Sequence, residues 1–230
     1  MNYVVCLKHG NKYSSEYVNK LYRMVKRNLT VEFEFVCFTE SRKHIDPEIR
    51  VEPLPPTDTP GWWFKPYFFA SELPLKGTIL YFDLDVIVFE NIDNLFDYKR
   101  GQFCIIRDFN RSQRPNFDRI NSSVFRLETG MFDTLWQQFK QNPPFHMQQN
   151  RGDQDWMFRH IKSFTYWPDE WIQSYKWEMR DRRDLKLMDG GRNFTIDAPP
   201  TVLPETSVAV FHGEPNPANA NDTWVKEHWG

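Results

Sequence analysis

Residues 78–92 read Thr-Ile-Leu-Tyr-Phe-Asp-Leu-Asp-Val-Ile-Val-Phe-Glu-Asn-Ile, and this stretch decides the fold. Its first five residues are aliphatic, aromatic or β-branched, which is typical of a strand buried on both faces, as in a parallel sheet. Asp83 and Asp85 interrupt the run, and apolar residues resume at 86–89. Because an unpaired buried carboxylate is costly, the two are expected at a strand end, with a partner.

A hard divalent cation is one such partner, since magnesium, calcium and manganese prefer oxygen ligands such as carboxylates. In strand geometry alternate side chains share a face, so Asp83 and Asp85 can point the same way while Leu84 packs inward. The alternative is that the two residues simply end a strand and make turn hydrogen bonds. The second apolar run counts against that alternative, because an ordinary turn would not be followed at once by another core strand.

The first forty residues predict a β-α-β unit. Residues 3–7 and 33–38 are strand-like, and Ser14 or Ser15 can cap a helix between them. Apolar residues of that helix recur on one face, at Val18, Leu21, Tyr22 and Val25. A β-α-β opening implies a right-handed crossover and a parallel sheet.

The loop at residues 8–13 follows the first strand. Ligands of open parallel sheets bind at the carboxyl ends of the strands, so this loop is expected to face a nucleotide. Lys8, Lys12 and Tyr13 are its candidates for phosphate or base contacts. The alternative is a solvated basic turn.

Other polar residues stand where elements begin or end. Lys65 lies in an aromatic segment, where it either snorkels to solvent or meets a diphosphate or an acidic partner such as Asp83. Residues 121–122 open a predicted strand at 120–127, and residues 153–155 open a predicted helix, where carboxylates are favoured on dipole grounds alone. His212 follows a predicted last strand at 208–211. The sequence also predicts a short connector at 94–98 and an amphipathic helix at 128–140. Residues 166–192 are expected to be unlike a packed element, because their mixed-sign charges are typical of a solvated surface.

Composition limits the classes of protein and of partner. A chain of 230 residues suits one large α/β domain or two small ones. The net charge of −2 argues against nucleic acid or an anionic membrane as a partner. The three cysteines lie in apolar runs and are expected to be buried thiols. No run approaches a membrane span, so we expect a cytoplasmic protein.

The central stretch, from Tyr81 to Val88 and on to Asn91-Ile92-Asp93, resembles the Asp-x-Asp region of GT-A glycosyltransferases, in particular family 8-like enzymes. The resemblance runs from residue 3 to about 217. Further motifs follow in the family's order, namely Asn121-Ser122-Ser123-Val124, Gly152-Asp153-Gln154-Asp155 and His212-Gly213-Glu214-Pro215.

The chain departs from the family pattern at two positions. Ser123 replaces a glycine of the Asn-Ser-Gly-Val strand. Asn216 stands where the family's C-terminal element carries a lysine that binds diphosphate. The task of that lysine must be dropped or done by Lys8, Lys12 or Lys65.

The resemblance implies an α/β fold of the GT-A type, with a Rossmann-like, mostly parallel central sheet flanked by helices. A single domain would cover residues 1–230, with nucleotide binding in about 1–107 and sugar and acceptor binding in about 108–230. The implied activity is metal-dependent transfer from a nucleotide-diphosphate sugar, a UDP-sugar, to a carbohydrate or other hydroxyl acceptor, with retention of configuration. The acceptor and the sugar are left open.

The resemblance also assigns roles to residues. Mn²⁺ or Mg²⁺ would be held by Asp83, Asp85 and His212. The nucleotide would contact Lys8, Lys12, Tyr13, Lys65 and Asp83. The sugar would contact Asn121, Ser122, Asp153, Gln154 and Asp155, with Asp153 and Gln154 catalytic.

Two rival functions remain open. One is a nucleotide-sugar-binding protein of GT-A shape that has lost turnover, which the missing lysine would explain. The other is a sugar-phosphate nucleotidyltransferase, which predicts a glycine-rich phosphate loop after the first strand. Gly10 is the only glycine in that loop, so this second rival is disfavoured.

Overall fold

A computed structural model describes residues 1–55, 57, 59–188 and 193–230. The strands of the first half are β1 (Asn2–Lys8), β2 (Glu34–Thr39), β3 (Arg50–Glu52), β4 (Thr78–Phe82), β5 (Val86–Val88) and β6 (Cys104–Arg107). Those of the second half are β7 (Ile120–Glu128), β8 (Thr165–Tyr166), β9 (Ile172–Ser174), β10 (Leu185–Met188), β11 (Asn193–Ile196) and β12 (Val208–Val210). The α-helices are α1 (Ser15–Asn28), α2 (Asp93–Asp97), α3 (Asp133–Gln141), α4 (Pro143–Gln149), α5 (Asp153–His160) and α6 (Thr223–His228).

The central sheet has seven strands in the order β3-β2-β1-β4-β7-β6-β8. Strands β3, β2, β1 and β4 are parallel to one another, with Val5 of β1 opposite Val36 on one side and Tyr81 on the other. Strand β7 runs antiparallel to β4 and β6, and β8 is parallel to β6. The predicted α/β architecture with a mostly parallel sheet is therefore confirmed.

Hydrophobic cores lie on both faces of this sheet. Side chains of β1 alternate between them, with Val4 and Cys6 in one core and Val5 and Leu7 in the other. The first core is closed by α1 and by the strands β5 and β12. The second is closed by the aromatic 3-10 helix Gly61–Phe69 together with α3 and α5. All three cysteines are buried free thiols, as predicted.

The chain leaves the central sheet after Phe82 and enters a second one. Strand β5 belongs to a three-stranded sheet with the order β5-β12-β9, in which β12 is antiparallel to β5 and parallel to β9. Residues 83–85 cross between the two sheets, and the Phe211 N–H donates to the Asp85 carbonyl at 3.0 Å. This pairing, which joins segments far apart in the chain, places the residues after β12 beside the Asp-x-Asp turn.

Some local predictions were wrong. The helix predicted from residue 128 begins at Asp133, because β7 continues to Glu128 in register with Thr78. Residues 94–98, predicted to be a connector, belong largely to helix α2, whose first N–H donates to Asn91 Oδ1 at 2.9 Å. Residues 166–188 were expected to be unlike a packed element, yet they contain β9 and β10. Residues 189–192 of the same segment lie outside the described residues.

None of the described helices combines the length and apolar character that crossing a bilayer requires.

Candidate active-site cleft

The Asp-x-Asp turn lies in a cleft with a volume of about 1070 Å³. A smaller pocket of about 160 Å³ adjoins it and reaches the loop after β1. Lys12, Trp62, Lys65, Asp83 and Asp85 line both cavities. The cavities open where the parallel strands β1 and β4 end, which is the edge at which such sheets bind ligands.

Lys65 is the centre of a buried ionic network and is only 4% exposed. Its Nζ lies 2.9 Å from Asp83 Oδ1 and 3.6 Å from Asp153 Oδ2. It also donates to the Ser122 carbonyl at 3.0 Å, and Ser122 Oγ in turn donates to Asp153 Oδ2 at 2.6 Å. Burial acts to lower the pKa of Lys65, but Asp153 and Asp83 hold it above its usual value. The Lys65 side chain is therefore a buried, charged group that links Asp83 and Asp153 inside the cleft, and it does not snorkel to solvent.

The two carboxylates of the turn differ in their surroundings. Asp83 is compensated by Lys65 and accepts a hydrogen bond from the Tyr81 hydroxyl at 2.8 Å. Asp85 is 8% exposed and accepts one from the Tyr13 hydroxyl at 3.1 Å. Burial, and next the charge of Asp83, raise the pKa of Asp85 above its usual range. Asp85 is thus a buried carboxylate with too little positive charge around it, which favours the approach of a cation.

His212 reaches the cleft from the end of β12. Its ring stacks on Phe109 at a centroid distance of 5.4 Å, and Nε2 lies 2.6 Å from Ser174 Oγ. Burial, and next the charge of Lys176, lower the pKa of His212 to about 3. The imidazole is therefore neutral near pH 7, which is the state in which histidine binds metals.

The donor atoms fit a hard divalent cation by their chemistry, since two carboxylates and a neutral imidazole line one cleft. In the part of the chain that the structure describes, however, no three His, Cys, Asp or Glu side chains converge on one point as metal ligands. Asp83, Asp85 and His212 are hydrogen-bonded to Lys65, Tyr13 and Ser174 instead. The metal assignment therefore stays a prediction, and it requires these side chains to change partners.

The five residues predicted to contact the sugar all line the large cleft: Asn121, Ser122, Asp153, Gln154 and Asp155. They come from the start of β7 and the start of α5, which Ser122 and Asp153 join through their hydrogen bond. Gln154 Nε2 donates to Asp108 Oδ2 at 3.3 Å, and Asp108 is a cleft residue that sequence reasoning missed. Its polar position at the end of β6 was the available signal.

In the loop after β1, Lys8 Nζ donates to the Gly10 carbonyl at 3.2 Å, and Lys12 Nζ lies 4.8 Å from the Tyr13 ring centroid. Both lysines and Tyr13 line the smaller pocket. Burial, and next Asp85, raise the pKa of Tyr13, so its hydroxyl remains a hydrogen-bond donor. The residues predicted to bind the nucleotide thus surround one pocket beside the Asp-x-Asp turn.

No family model matches the chain, and no curated protein matches it by sequence. The solved galactosyltransferase LgtC, in complex with donor and acceptor sugar analogs, superposes with a TM-score of 0.67 at 14% identity, covering 100% of this chain and 92% of that one.

Two further glycosyltransferase structures superpose on the chain. Glycosyltransferase GlyE of Streptococcus pneumoniae TIGR4 gives a TM-score of 0.69 at 12% identity, covering 100% of this chain and 60% of that one. The bifunctional glycosyltransferase WbbM gives a TM-score of 0.56 at 12% identity, covering 98% of this chain and 50% of that one.

The chain has the GT-A fold. This confirms the predicted fold. At these identities the likeness shows the fold and does not by itself show the activity, so the narrower resemblance to family 8 stays a prediction.

In this GT-A fold a second residue missed from the sequence, Lys176, stands beside His212. It lies two residues beyond Ser174 of β9, as His212 lies two beyond Val210 of β12, and these two strands are parallel with Ser174 opposite Val210. Lys176 Nζ donates to the Glu214 carbonyl at 3.1 Å, and a methyl group at Gly213 would lie 3.6 Å from it. The pairing of β9 with β12 thus brings a lysine next to the C-terminal element. That element has Asn216 at the position where the family pattern carries a lysine.

Proposed function

We propose that this protein transfers a sugar from a UDP-sugar to a hydroxyl acceptor, with Mn²⁺ or Mg²⁺ as cofactor. One observation carries the proposal. Lys65 joins Asp83 of the turn to Asp153 of α5 inside one cleft, and that cleft also receives Asp85 and His212. The similarity of the fold to glycosyltransferases supports the reaction class.

The donor would lie across both cavities. The smaller pocket, with Lys8 and Tyr13, is the place for the nucleoside, and the diphosphate would lie at the shared residues Lys12 and Lys65. The metal would be held by Asp83, Asp85 and His212, where it would offset negative charge on the leaving diphosphate. The chain's own cations act in the same sense, because fixed charges aimed at developing charge stabilise the transition state.

The sugar would lie over the start of α5. In the transfer the bond from the anomeric carbon to the diphosphate oxygen breaks, and a bond from that carbon to the acceptor oxygen forms. The acceptor's proton passes to an oxygen of the leaving diphosphate. Gln154 cannot serve as a base and is a poor nucleophile, so its place is that of a hydrogen-bonding residue beside the sugar. Asn121, Ser122 and Asp155 would hold sugar hydroxyls, and Asp153 would stabilise positive charge on the ring.

A binding protein without turnover is the second candidate, and Asn216 in place of a lysine is the observation that favours it. The position of Lys176 beside Gly213 and Glu214 weakens that observation, because it brings a cation to the same C-terminal element. Turnover of a UDP-sugar, seen as release of UDP in the presence of acceptor, separates the two candidates.

The direct test is the variant Asp85→Asn, with UDP binding measured by calorimetry at increasing Mn²⁺. We expect Mn²⁺-dependent UDP binding to fall on the order of tenfold or more, which corresponds to loss of one strong charged contact. Thermal stability should not fall, because the change removes a buried carboxylate whose ionisation is already disfavoured.

Asp97→Asn, which removes an exposed carboxylate paired with Arg100, is the matched control and should bind UDP as the wild type does. If Asp85→Asn keeps the Mn²⁺ dependence of the wild type, the metal assignment is wrong.

A further inference from the structure

Four cations line the large cleft without taking part in the proposed donor site. They are Arg119, Arg151, Arg159 and Lys162, and all four are exposed. We refer to these four residues as the basic wall. The chain as a whole carries a net charge of −2, so the wall is a local concentration of positive charge and not a consequence of a basic protein.

Helix α5 organises the basic wall. Arg151 lies just before the helix, Arg159 lies in its last turn and Lys162 lies just beyond it. The guanidinium of Arg119, just before β7, is 4.4 Å from the ring centroid of Phe158 on the same helix. A helix rises about 1.5 Å per residue, so Arg159 lies roughly 9 Å along the axis from Asp153. Part of the wall is therefore removed from the Lys65 network.

None of the described carboxylates pairs with a cation of the basic wall. Arg159 donates to the Gln149 carbonyl at 2.9 Å, and Lys162 donates to the Arg159 carbonyl at 2.6 Å. Among the described residues no carboxylate forms a salt bridge with any of the four, although Asp155 lines the same cleft. Asp83 and Asp153 in the same cleft differ from the basic wall in this respect, because both form salt bridges with Lys65.

Unpaired cations along one wall of a concave surface have a chemical consequence. A cleft lined by charge of one sign focuses the potential and raises the local concentration of ligands of the opposite sign. A neutral sugar would gain little from this wall, whereas carboxylates or phosphates would gain from charge-assisted hydrogen bonds, most of all with arginine.

Resting on the proposed transfer, we propose that the acceptor is a glycan bearing negative charge, as carboxylates or phosphates, and that the basic wall binds it. The donor would occupy the end of the cleft at Lys65, and the charged part of the acceptor would extend along α5 toward Arg159 and Lys162. The proposal thus gives the acceptor a chemical class.

The test is calorimetric binding of three probes to the wild type and to the variant Arg119→Gln, Arg151→Gln, Arg159→Gln, Lys162→Gln. The probes are hexagalacturonate, its fully methyl-esterified neutral form, and a mannose oligosaccharide phosphate. We expect the wild type to bind at least one anionic probe, and the variant to bind it on the order of tenfold or more weakly. Binding should also weaken from about 50 mM to about 300 mM NaCl, because salt screens exposed charges. Which of the two anionic probes binds shows whether the basic wall takes carboxylates or phosphates.

The control variant removes four exposed cations that do not line the cleft: Lys43→Gln, Lys76→Gln, Lys99→Gln and Lys226→Gln. It should bind the anionic probe as the wild type does. Equal binding of the neutral and anionic probes, or unchanged binding by the basic-wall variant, overturns the proposal.

UDP binding in Mn²⁺ is measured on the same samples. If the wild type does not bind UDP, that result counts against the proposed transfer and not against the anionic ligand.

Discussion

At the scale of single residues, the cleft depends on where cations stand relative to Asp83, Asp85 and Asp153. Lys65 was one of the residues that the sequence placed near an acidic partner, and its contacts with Asp83 and Asp153 agree with that alternative. Lys176 was missed, because nothing local marks a lysine in a segment that reads as solvated. Its position follows from the pairing of β9 with β12, in which each residue pairs with one 36 positions away in the chain.

Lys176 carries a prediction of its own. Lys176→Met should weaken UDP binding in Mn²⁺ on the order of tenfold or more, because we expect the Lys176 ammonium, which now donates to the Glu214 carbonyl, to bind a phosphate oxygen of the donor as well. Binding of uridine, which has no phosphates, should stay the same, and Lys176→Arg should restore part of the affinity for UDP. Calorimetry with both ligands measures this.

Lys226→Met, which removes an exposed cation of α6, is the control for Lys176→Met. Equal losses for UDP and uridine would mean that Lys176 only supports the local structure.

At the scale of elements, an ion pair links the 3-10 helix Phe109–Ser112 to the second sheet. Arg111 Nε lies 2.9 Å from Glu178 Oε1, and the Ser174 N–H donates to Glu178 Oε2 at 3.1 Å. Both partners have largely buried side chains, 3% and 11% exposed. The pair holds the loop that carries Phe109, and Phe109 is the ring on which His212 stacks.

The Glu178 pair predicts a pH dependence of stability. Burial is the largest cause that raises the pKa of Glu178 from 4.5 to about 7 in the folded protein, although Arg111 opposes it. The folded state then binds more protons than the unfolded state between these values. The free energy of unfolding should therefore fall as pH rises from about 4.5 to about 7, by at most about 3 kcal/mol from this group.

Urea unfolding across that pH range measures the effect. Glu178→Gln should remove this part of the slope, because glutamine does not titrate. Glu205→Gln, in an exposed position before β12, is the matched control and should keep the wild-type slope. A Glu178→Gln slope equal to that of the wild type would show that Glu178 is not the group responsible.

At the scale of the whole molecule, much of the central sheet could be predicted from the sequence. Apolar runs such as residues 78–82 and the helical spacing in α1 are local patterns, and they gave the parallel core and the order of its first elements. The runs at 86–89 and 208–211 were predicted as strands, but their pairing with each other and with β9 could not be predicted, because these strands are three residues long and pair across the chain. The candidate site followed the same division, since Asp83 and Asp85 were evident from the sequence while Asp108 of the cleft was not. Lys176, which lines a separate cavity beside Glu214 and Pro215, was missed as well.

The stereochemical course of the proposed transfer depends on the whole cleft. An inverting transferase needs a carboxylate base on the side of the sugar opposite the leaving group. Asp153 is buried, accepts the Ser122 hydroxyl and lies 3.6 Å from the Lys65 ammonium, so it is poorly placed to take a proton from an incoming acceptor. Gln154 cannot act as a base. These surroundings favour a same-face route, which retains configuration.

We therefore expect an α-linked product from an α-linked UDP-sugar, measured from the anomeric proton signal by NMR. Asp153→Asn should lower kcat more than it weakens donor binding, because its charge acts mainly in the transition state. Asp155→Asn is the comparison, since Asp155 lines the same cleft, whereas the salt bridges of Lys65 go to Asp83 and Asp153. A β-linked product would make Asp153 or Asp155 the base and would require the acceptor to approach from the opposite side of the sugar.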